Sequence, residues 1–272
     1  MRSAQQVIEA IHAARFTGHK VGLENTRALM DRLHIATTVP AIHVAGTNGK
    51  GSVCAMVERV LRQAGYATGL YTSPYLQVYN ERIRLNGEPV ADGLLEAYGN
   101  QVLDAAAELE KEGVKPTAFE LGTALALLIF QQQKVDVMVI EVGIGGRLDP
   151  TNVITPLVSV ITAIGLDHMQ ILGDTLAKIA GEKAGIIKPE TPVVCHPAEA
   201  EVAQVFAQRA EALHAPLIQL ATTQIQNVQS GRNGSEADYD VQGARLHVAT
   251  PLPGAHQLTN TLTALNALAA LS

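Results

Sequence analysis

Two stretches of this chain are apolar at nearly every position: VDVMVIEVG at 135–143 and PLVSVITAIG at 156–165. A strand with one solvated face alternates apolar and polar residues, so a run without alternation needs cover on both faces. Central strands of a parallel sheet have that environment, and parallel neighbours must be joined by crossovers, usually helices. Short apolar runs do alternate with helical patterns along the chain, which predicts an α/β fold: a mostly parallel sheet flanked by helices. Strands are expected near 41–45, 68–71, 135–141, 157–163 and 192–195, and helices over 51–64, 92–111, 119–132, 175–184 and 198–213. The opening MRSAQQVIEAIHAARF reads as an amphipathic helix and not a signal peptide, because Gln, Glu and His interrupt its apolar positions.

The tail follows another pattern. From Thr222 to Thr250, short alternating segments around Gly, Asn and Asp turns predict small antiparallel strands at a sheet edge. PLPGAHQLTNTLTALNALAALS then starts a helix after Pro253-Gly254, and its stop at Ser272 without a C-cap reads as a chain cut short. The expected organisation is one domain over 1–272, with a helical segment at 1–40 and a β segment at about 215–250.

Composition narrows the function classes. A net charge of −6 argues against a nucleic-acid surface, which needs clustered Lys and Arg. Two cysteines, Cys54 and Cys195, are too few for a disulfide framework or a zinc site and fit a reducing compartment. No apolar run approaches the roughly 20 residues that span a bilayer. A soluble, cytoplasmic α/β enzyme is the expectation.

Chemistry is expected where strands end, because open α/β sheets bind ligands outside the carboxyl ends of their strands. AIHVAGTNGKGSV (41–53) passes from a strand through a glycine-rich turn into a helix start. A phosphate loop of the usual kind carries Ser or Thr directly after its Lys. Here Gly51 follows Lys50, and the hydroxyl arrives at Ser52. Backbone N–H groups at the helix start would cradle phosphates while Lys50 neutralises their charge. A second strand runs into Ser73-Pro74, a third ends on Glu141 before Gly143-Ile144-Gly145-Gly146, and a fourth runs into Asp167-His168. A carboxylate ending an apolar strand is costly to bury without a cation, which makes Glu141 a metal-ligand candidate. His168 alone is a weak signal and gains weight beside Glu141 and Ser52. By composition, Lys183 and Lys188 are ordinary cations at a helix end.

These residues form a recognisable series. HVAGTNGKGSV, LYTSPYLQVYNERIRLNG, VIEVGIGGRLDPTNVI, LDHMQILG and IAGEKAGIIKP resemble successive signatures of folylpolyglutamate synthase, including its bifunctional dihydrofolate synthase form, within the Mur ligase superfamily. PLPGAHQLTN resembles the segment that closes that family's ATP-binding domain. The resemblance implies an ATP-dependent ligase joining L-glutamate to a folate or dihydropteroate carboxylate through an acyl phosphate, with Mg²⁺. It implies that Thr47, Asn48, Gly49, Lys50 and Gly51 hold phosphates and that Asn260 reaches adenine. Ser52 and Glu141 would ligate one Mg²⁺ and His168 a second. Lys183 matches the lysine that becomes a carbamate, which reverses its reading from composition. Lys50, His168, Lys183 and Asp149 would form the catalytic set. Ser73, Pro74, Tyr75, Arg82, Thr117 and Phe119 would contact the folate, although Tyr75 stands where many members have His or Phe. No nucleic-acid or membrane partner is implied, and the full-length protein is expected to be monomeric.

The family also carries a second, C-terminal α/β domain that this stretch of chain does not include; without it, weak nucleotide binding and poor or no ligation are expected. Ligases of UDP-muramyl precursors usually have Thr after the loop Lys and lack the SPYLQVYNERI segment, so Lys50-Gly51-Ser52 and Asn80-Glu81-Arg82-Ile83 disfavour that alternative. A nucleotide-dependent regulator would need an NKxD-type guanine motif, which is not found. A non-catalytic nucleotide-binding remnant is the remaining alternative.

Overall fold

The computed structural model describes residues 1–14, 22–36 and 38–271. Its frame is an eight-stranded sheet whose centre is β1 (Ala41–Ala45), bonded in parallel to β5 (Val137–Glu141) on one side and β6 (Val158–Ile161) on the other. Outward from β5 lie β2 (Thr68–Tyr71), β3 (Ile83–Leu85) and β4 (Glu88–Pro89), the last two antiparallel; outward from β6 lie β7 (Val193–Cys195) and β8 (Leu217–Gln219). Every residue of β1, β5 and β6 is buried, as their unalternating apolar sequences require.

The period of two decides what each face meets. On β5, Val137 and Val139 join Ile42 and Val44 of β1 against α3 (Lys50–Gln63) and α9 (Ala255–Ala269), whereas Met138 and Ile140 face the opposite helical layer. That layer contains α1 (Ala4–Ala13), α2 (Glu24–Arg32), α4 (Asp92–Lys111) and α5 (Ala118–Gln132); after the short α6 (Met169–Leu172), α7 (Leu176–Lys183) and α8 (Ala200–Ala212) pack beside β7. Because the chain leaves β1 toward β2 on one side and later crosses from β5 to β6 on the other, the connections diverge beside β1, opening a crevice at its carboxyl end.

The five expected strands and five expected helices are present, with ends differing by at most two residues. The N-terminal helix covers Ala4–Ala13; Arg15 and Phe16 of its expected span lie outside the described residues, as does Ser272. The β segment departs from expectation. β9 (Ile225–Gly231), β10 (Gly234–Val241) and β11 (Ala244–Thr250) form their own antiparallel sheet and do not extend an edge of the main one. Their anchor is β10, whose buried Ala237, Tyr239 and Val241 share a core with Leu258 and Leu262 of α9. The β3–β4 hairpin was not anticipated; its Asn86-Gly87 turn, both residues at positive φ, joins strands too short to show alternation.

β2 touches α5 so closely that a Cβ added at Gly69 would lie 2.7 Å from the buried Phe130 ring. Gly69→Val is therefore expected to destabilise the fold by about 1–3 kcal/mol through overpacking. Adding Phe130→Leu should recover part of that loss in a urea-denaturation double-mutant cycle.

Candidate functional site

The loop between β1 and α3 is shaped from outside itself. Gly46 has φ +148° and packs against the Thr162 hydroxyl, where a Cβ would clash. Thr162 Oγ1 lies 3.2 Å from Ala45 O and 2.8 Å from Asn48 O. Thr47 N–H donates to Ala163 O at 2.8 Å, and the Thr47 hydroxyl donates to Gly165 O and accepts from Gly165 N–H, each at 3.1 Å. The exit of β6 thus holds the exit of β1. Gly49 then turns at φ +89° into α3, and the first N–H to find a helical acceptor is that of Val53, on Gly49 O at 2.9 Å. The N–H groups of Lys50, Gly51 and Ser52 are the unbonded donors of the helix start, where the dipole favours an anion.

Two ammonium groups converge on one carbonyl here. Lys50 Nζ donates to Gly46 O at 3.1 Å and Thr47 O at 3.2 Å, and Lys183 Nζ, from the end of α7, donates to Gly46 O at 2.9 Å. Burial, reinforced by the Lys50 charge, lowers the Lys183 pKa to about 8. Beside them stands a buried carboxylate. Glu141 accepts from Ser73 N–H at 3.1 Å, and its oxygens lie 3.7 and 3.9 Å from where a Cβ on Gly51 would sit. Burial pushes its pKa up, against the pull of Ser73 N–H, Lys50 and Arg82. The glycine after Lys50 therefore leaves the helix start bare where the carboxylate approaches, and Ser52 follows one residue on.

Asp149 has a different setting from the other acids. It is buried, and its two oxygens accept from Gly143 N–H at 3.1 Å, Ile144 N–H at 3.0 Å, Thr151 N–H at 3.0 Å and the Thr151 hydroxyl. That hydroxyl also meets Nε2 of His43 at 2.9 Å, and burial holds His43 neutral, its pKa lowered to about 3. Expected beside reacting groups, Asp149 has all these contacts with its own loop, whose shape after Glu141 it fixes. His168 takes φ +48°, its side chain is 47 % exposed, and its Nε2 is 3.7 Å from Asp167. The charges of Asp167, which precedes His168 at the strand end, and of Asp149 also act on Lys183, so both belong to this neighbourhood. Among the described residues no three His, Cys, Asp or Glu side chains gather as a metal cluster.

A cluster of aromatic rings around Arg82 adjoins the Glu141 end of the sheet. The Arg82 guanidinium lies over the Tyr75 ring at 5.2 Å and the Tyr79 ring at 5.7 Å, and Phe119 packs 6.0 Å from Tyr71. Arg82 Nε is buried there without a protein partner. Ser73 reaches the site through its backbone, with Pro74 following a cis bond. Thr117 caps α5, its hydroxyl accepting from Glu120 N–H at 3.3 Å, so it orients Phe119 through the helix start. On the far side, Asn260 of α9 packs over Gly49 and donates to Gln257, which sequence reading passed over because a helical Gln carries no motif signal of its own.

A phosphate-loop α/β sheet with a buried acid at the next strand end defines a class of nucleotide-binding proteins, and the comparisons with known proteins agree. The Mur ligase middle domain family matches residues 44–268, so the chain belongs to the Mur ligase family. Its relatives there are folate enzymes. It is 43% identical over 265 residues to the dihydrofolate synthase/folylpolyglutamate synthase of Bacillus subtilis (strain 168), spanning 96% of this chain and 61% of that protein. It is 44% identical over 211 residues to the folylpolyglutamate synthase of Lacticaseibacillus casei, 76% of this chain and 45% of that protein. The chain thus spans less than two-thirds of these curated relatives. Among solved structures, the apo form of L. casei FPGS superposes with a TM-score of 0.94 at 34% identity, over 99% of this chain and 67% of that one. An FPGS–AMPPCP–folate complex gives 0.95 at the same identity and coverage.

Two outcomes follow from the site's electrostatics. Below about pH 8 Lys183 is protonated in both folded and unfolded chains; between 8 and 10.5 only the unfolded chain keeps the proton. Native stability should therefore rise across that window by about 3 kcal/mol relative to Lys183→Met, measured by chemical denaturation at each pH. Asp149→Asn places an N–H₂ against backbone donors, and should cost about 2 kcal/mol or more while speeding hydrogen exchange at Gly143 and Ile144.

Proposed function

We propose that this chain is the nucleotide-binding part of an ATP-dependent ligase that joins L-glutamate to the carboxylate of a folate or dihydropteroate. The observation that carries this reading is the buried Glu141 carboxylate against the start of α3, beside Lys50 and Lys183 on the Gly46 carbonyl. A helix start with free N–H groups and two cations suits a polyphosphate, and a desolvated carboxylate next to it suits a cation that travels with one.

The chemistry follows from a poor electrophile. A carboxylate oxygen attacks the γ-phosphorus of ATP, the bond to the β-phosphate oxygen breaks, and ADP leaves. The amine of glutamate then attacks the acyl phosphate, loses a proton, and expels inorganic phosphate as the amide forms. Both partners in the first step are anions, so positioning and charge neutralisation carry the catalysis. Thr47, Asn48, Gly49, Lys50 and Gly51 would hold the phosphates; to reach them, Lys50 exchanges its carbonyl partners for phosphate oxygens. Asn260 would meet the adenine. The cluster of Tyr75, Arg82 and Phe119, with Ser73 and Pro74 beside it, would take the pterin and aminobenzoate groups, and Arg82 Nε would bond one of their heteroatoms. Thr117 and Asp149 act from behind, the first on Phe119 and the second on the loop after Glu141.

The donor set fits Mg²⁺, which is commonly held by one or two carboxylates with phosphates and water completing the shell, not by an all-protein cage. Ser52 and Glu141 would hold one ion; His168 and Lys183, the latter as a carbamate, would serve a second. Bound there, the ions would neutralise charge on the transferring phosphoryl group. We read 1–272 as a single nucleotide-binding domain, acting on small molecules in the cytoplasm of its cell, with the full-length protein monomeric. No helix among the described residues is long and apolar enough to cross a membrane.

The full-length protein, given ATP, Mg²⁺, L-glutamate and either tetrahydrofolate or dihydropteroate, should form a glutamylated product with one ADP and one phosphate per amide. Glu141→Gln should lower the rate by about 100-fold or more. Lys183→Ala should lose activity, with partial return on adding a short-chain carboxylic acid. A UDP-muramyl peptide product without any folate product overturns the proposal, and full activity in Lys183→Ala removes that residue from the site.

A further inference from the structure

At the top of the phosphate loop, two residues of the proposed site are bridged by one that has no place in it so far. The Asn260 carboxamide lies over Gly49, is buried, and donates through Nδ2 to Gln257 Oε1 at 2.9 Å. The other end of the Gln257 carboxamide donates through Nε2 to Ser52 Oγ at 3.4 Å. Gln257 and Asn260 sit three residues apart in the first turns of α9, so they share one face of that helix and lean together over the start of α3. Asn260, Gln257 and Ser52 thus form a continuous polar relay from one edge of the loop to the first turn of the helix behind it.

The chemistry of a carboxamide gives this relay a direction. Accepting from Asn260 commits the Gln257 oxygen, which leaves its N–H₂ as the group that faces Ser52. With Nδ2 as the donor, Asn260 turns its own oxygen onto Gly49 and keeps a second N–H for a ligand. Ser52, having accepted from Gln257 with one lone pair, keeps the other lone pair and its proton for the mouth of the loop. No charge is involved, so the relay works by orientation alone.

We infer that Gln257 is a positioning residue that couples the base end of a bound nucleotide, at Asn260, to the hydroxyl of Ser52 at its phosphate end. The inference rests on the nucleotide-site reading above and adds a residue to it. A nucleotide base that fixes Asn260 fixes Gln257 and, through it, the direction of the Ser52 lone pair. By the reciprocity of linkage, phosphate or metal that orders Ser52 improves the base contact by the same factor.

The relay is tested by a double-mutant cycle read in binding of the ATP analogue AMPPCP to the full-length protein, by calorimetry, with Mg²⁺ and with chelator. In the unmodified background, Ser52→Ala and Asn260→Ala should be non-additive by a factor of roughly five in affinity, because each breaks the same relay. In Gln257→Met, which keeps the length of the side chain and removes both hydrogen bonds, the two should become additive. The gain in AMPPCP affinity on adding Mg²⁺ should shrink by a similar factor. Gln257→Ala should give the same loss of coupling, and the two variants together guard against a packing defect peculiar to either. Full coupling in folded Gln257→Met or Gln257→Ala overturns the inference while leaving the nucleotide site intact. Failure of the unmodified protein to bind AMPPCP overturns the nucleotide-site reading and the relay with it.

Discussion

The arrangement depends on β1 being clamped between two parallel neighbours whose exits hold its own. Because β1 is buried on both faces and bonded on both edges, the chain has little freedom as it leaves Ala45. Thr162, Ala163 and Gly165 then impose the course of Gly46 to Asn48 through side-chain and backbone bonds. A loop rich in glycine would cost entropy to order on its own. Here that order comes from the neighbouring strand. The donors of the helix start are therefore arranged before any ligand arrives, which is what electrostatic preorganisation requires.

Electrostatically, the site is held short of neutrality by burial. Lys183 and Lys50 share the Gly46 carbonyl, and Glu141, the buried acid on which the Lys50 charge acts, is pushed toward its protonated form. Each of these groups is more comfortable with a partner that brings charge of the opposite sign: phosphates for the lysines and a cation for the carboxylate. The same low-dielectric surroundings that penalise these charges would strengthen those contacts once made.

Much of this was legible in the sequence, and the reasons are particular. The unalternating runs at 135–143 and 156–165 announce buried parallel strands because burial on both faces leaves no room for polar residues. Gly51, Ser52 and Glu141 could be noticed because they interrupt apolar or glycine-rich patterns. What could not be read were relations made by the fold alone. The independent sheet of β9, β10 and β11 looks in sequence like any set of edge strands; only the packing of Tyr239 against α9 separates it. Asp149 reads as an active-site acid, and its four donors come from backbone and a neighbouring hydroxyl that no spacing reveals. Gln257 is an ordinary helical residue until Ser52 and Asn260 are seen on either side of it.

The distance along the chain between Ser52 and Gln257, 205 residues, bears on how the protein is made. Synthesis runs from the N-terminus at about 5–20 residues per second, and domains fold as units as they emerge. The strand, loop and helix that begin the site leave the ribosome early, but the wall that α9 places over them follows 205 residues later. For that interval, on the order of ten seconds or more at such rates, the loop's donors and Lys50 face solvent with one side open. Closure of the loop by α9 thus follows synthesis of every strand of the main sheet, and its appearance would report that the sheet beneath it is already available.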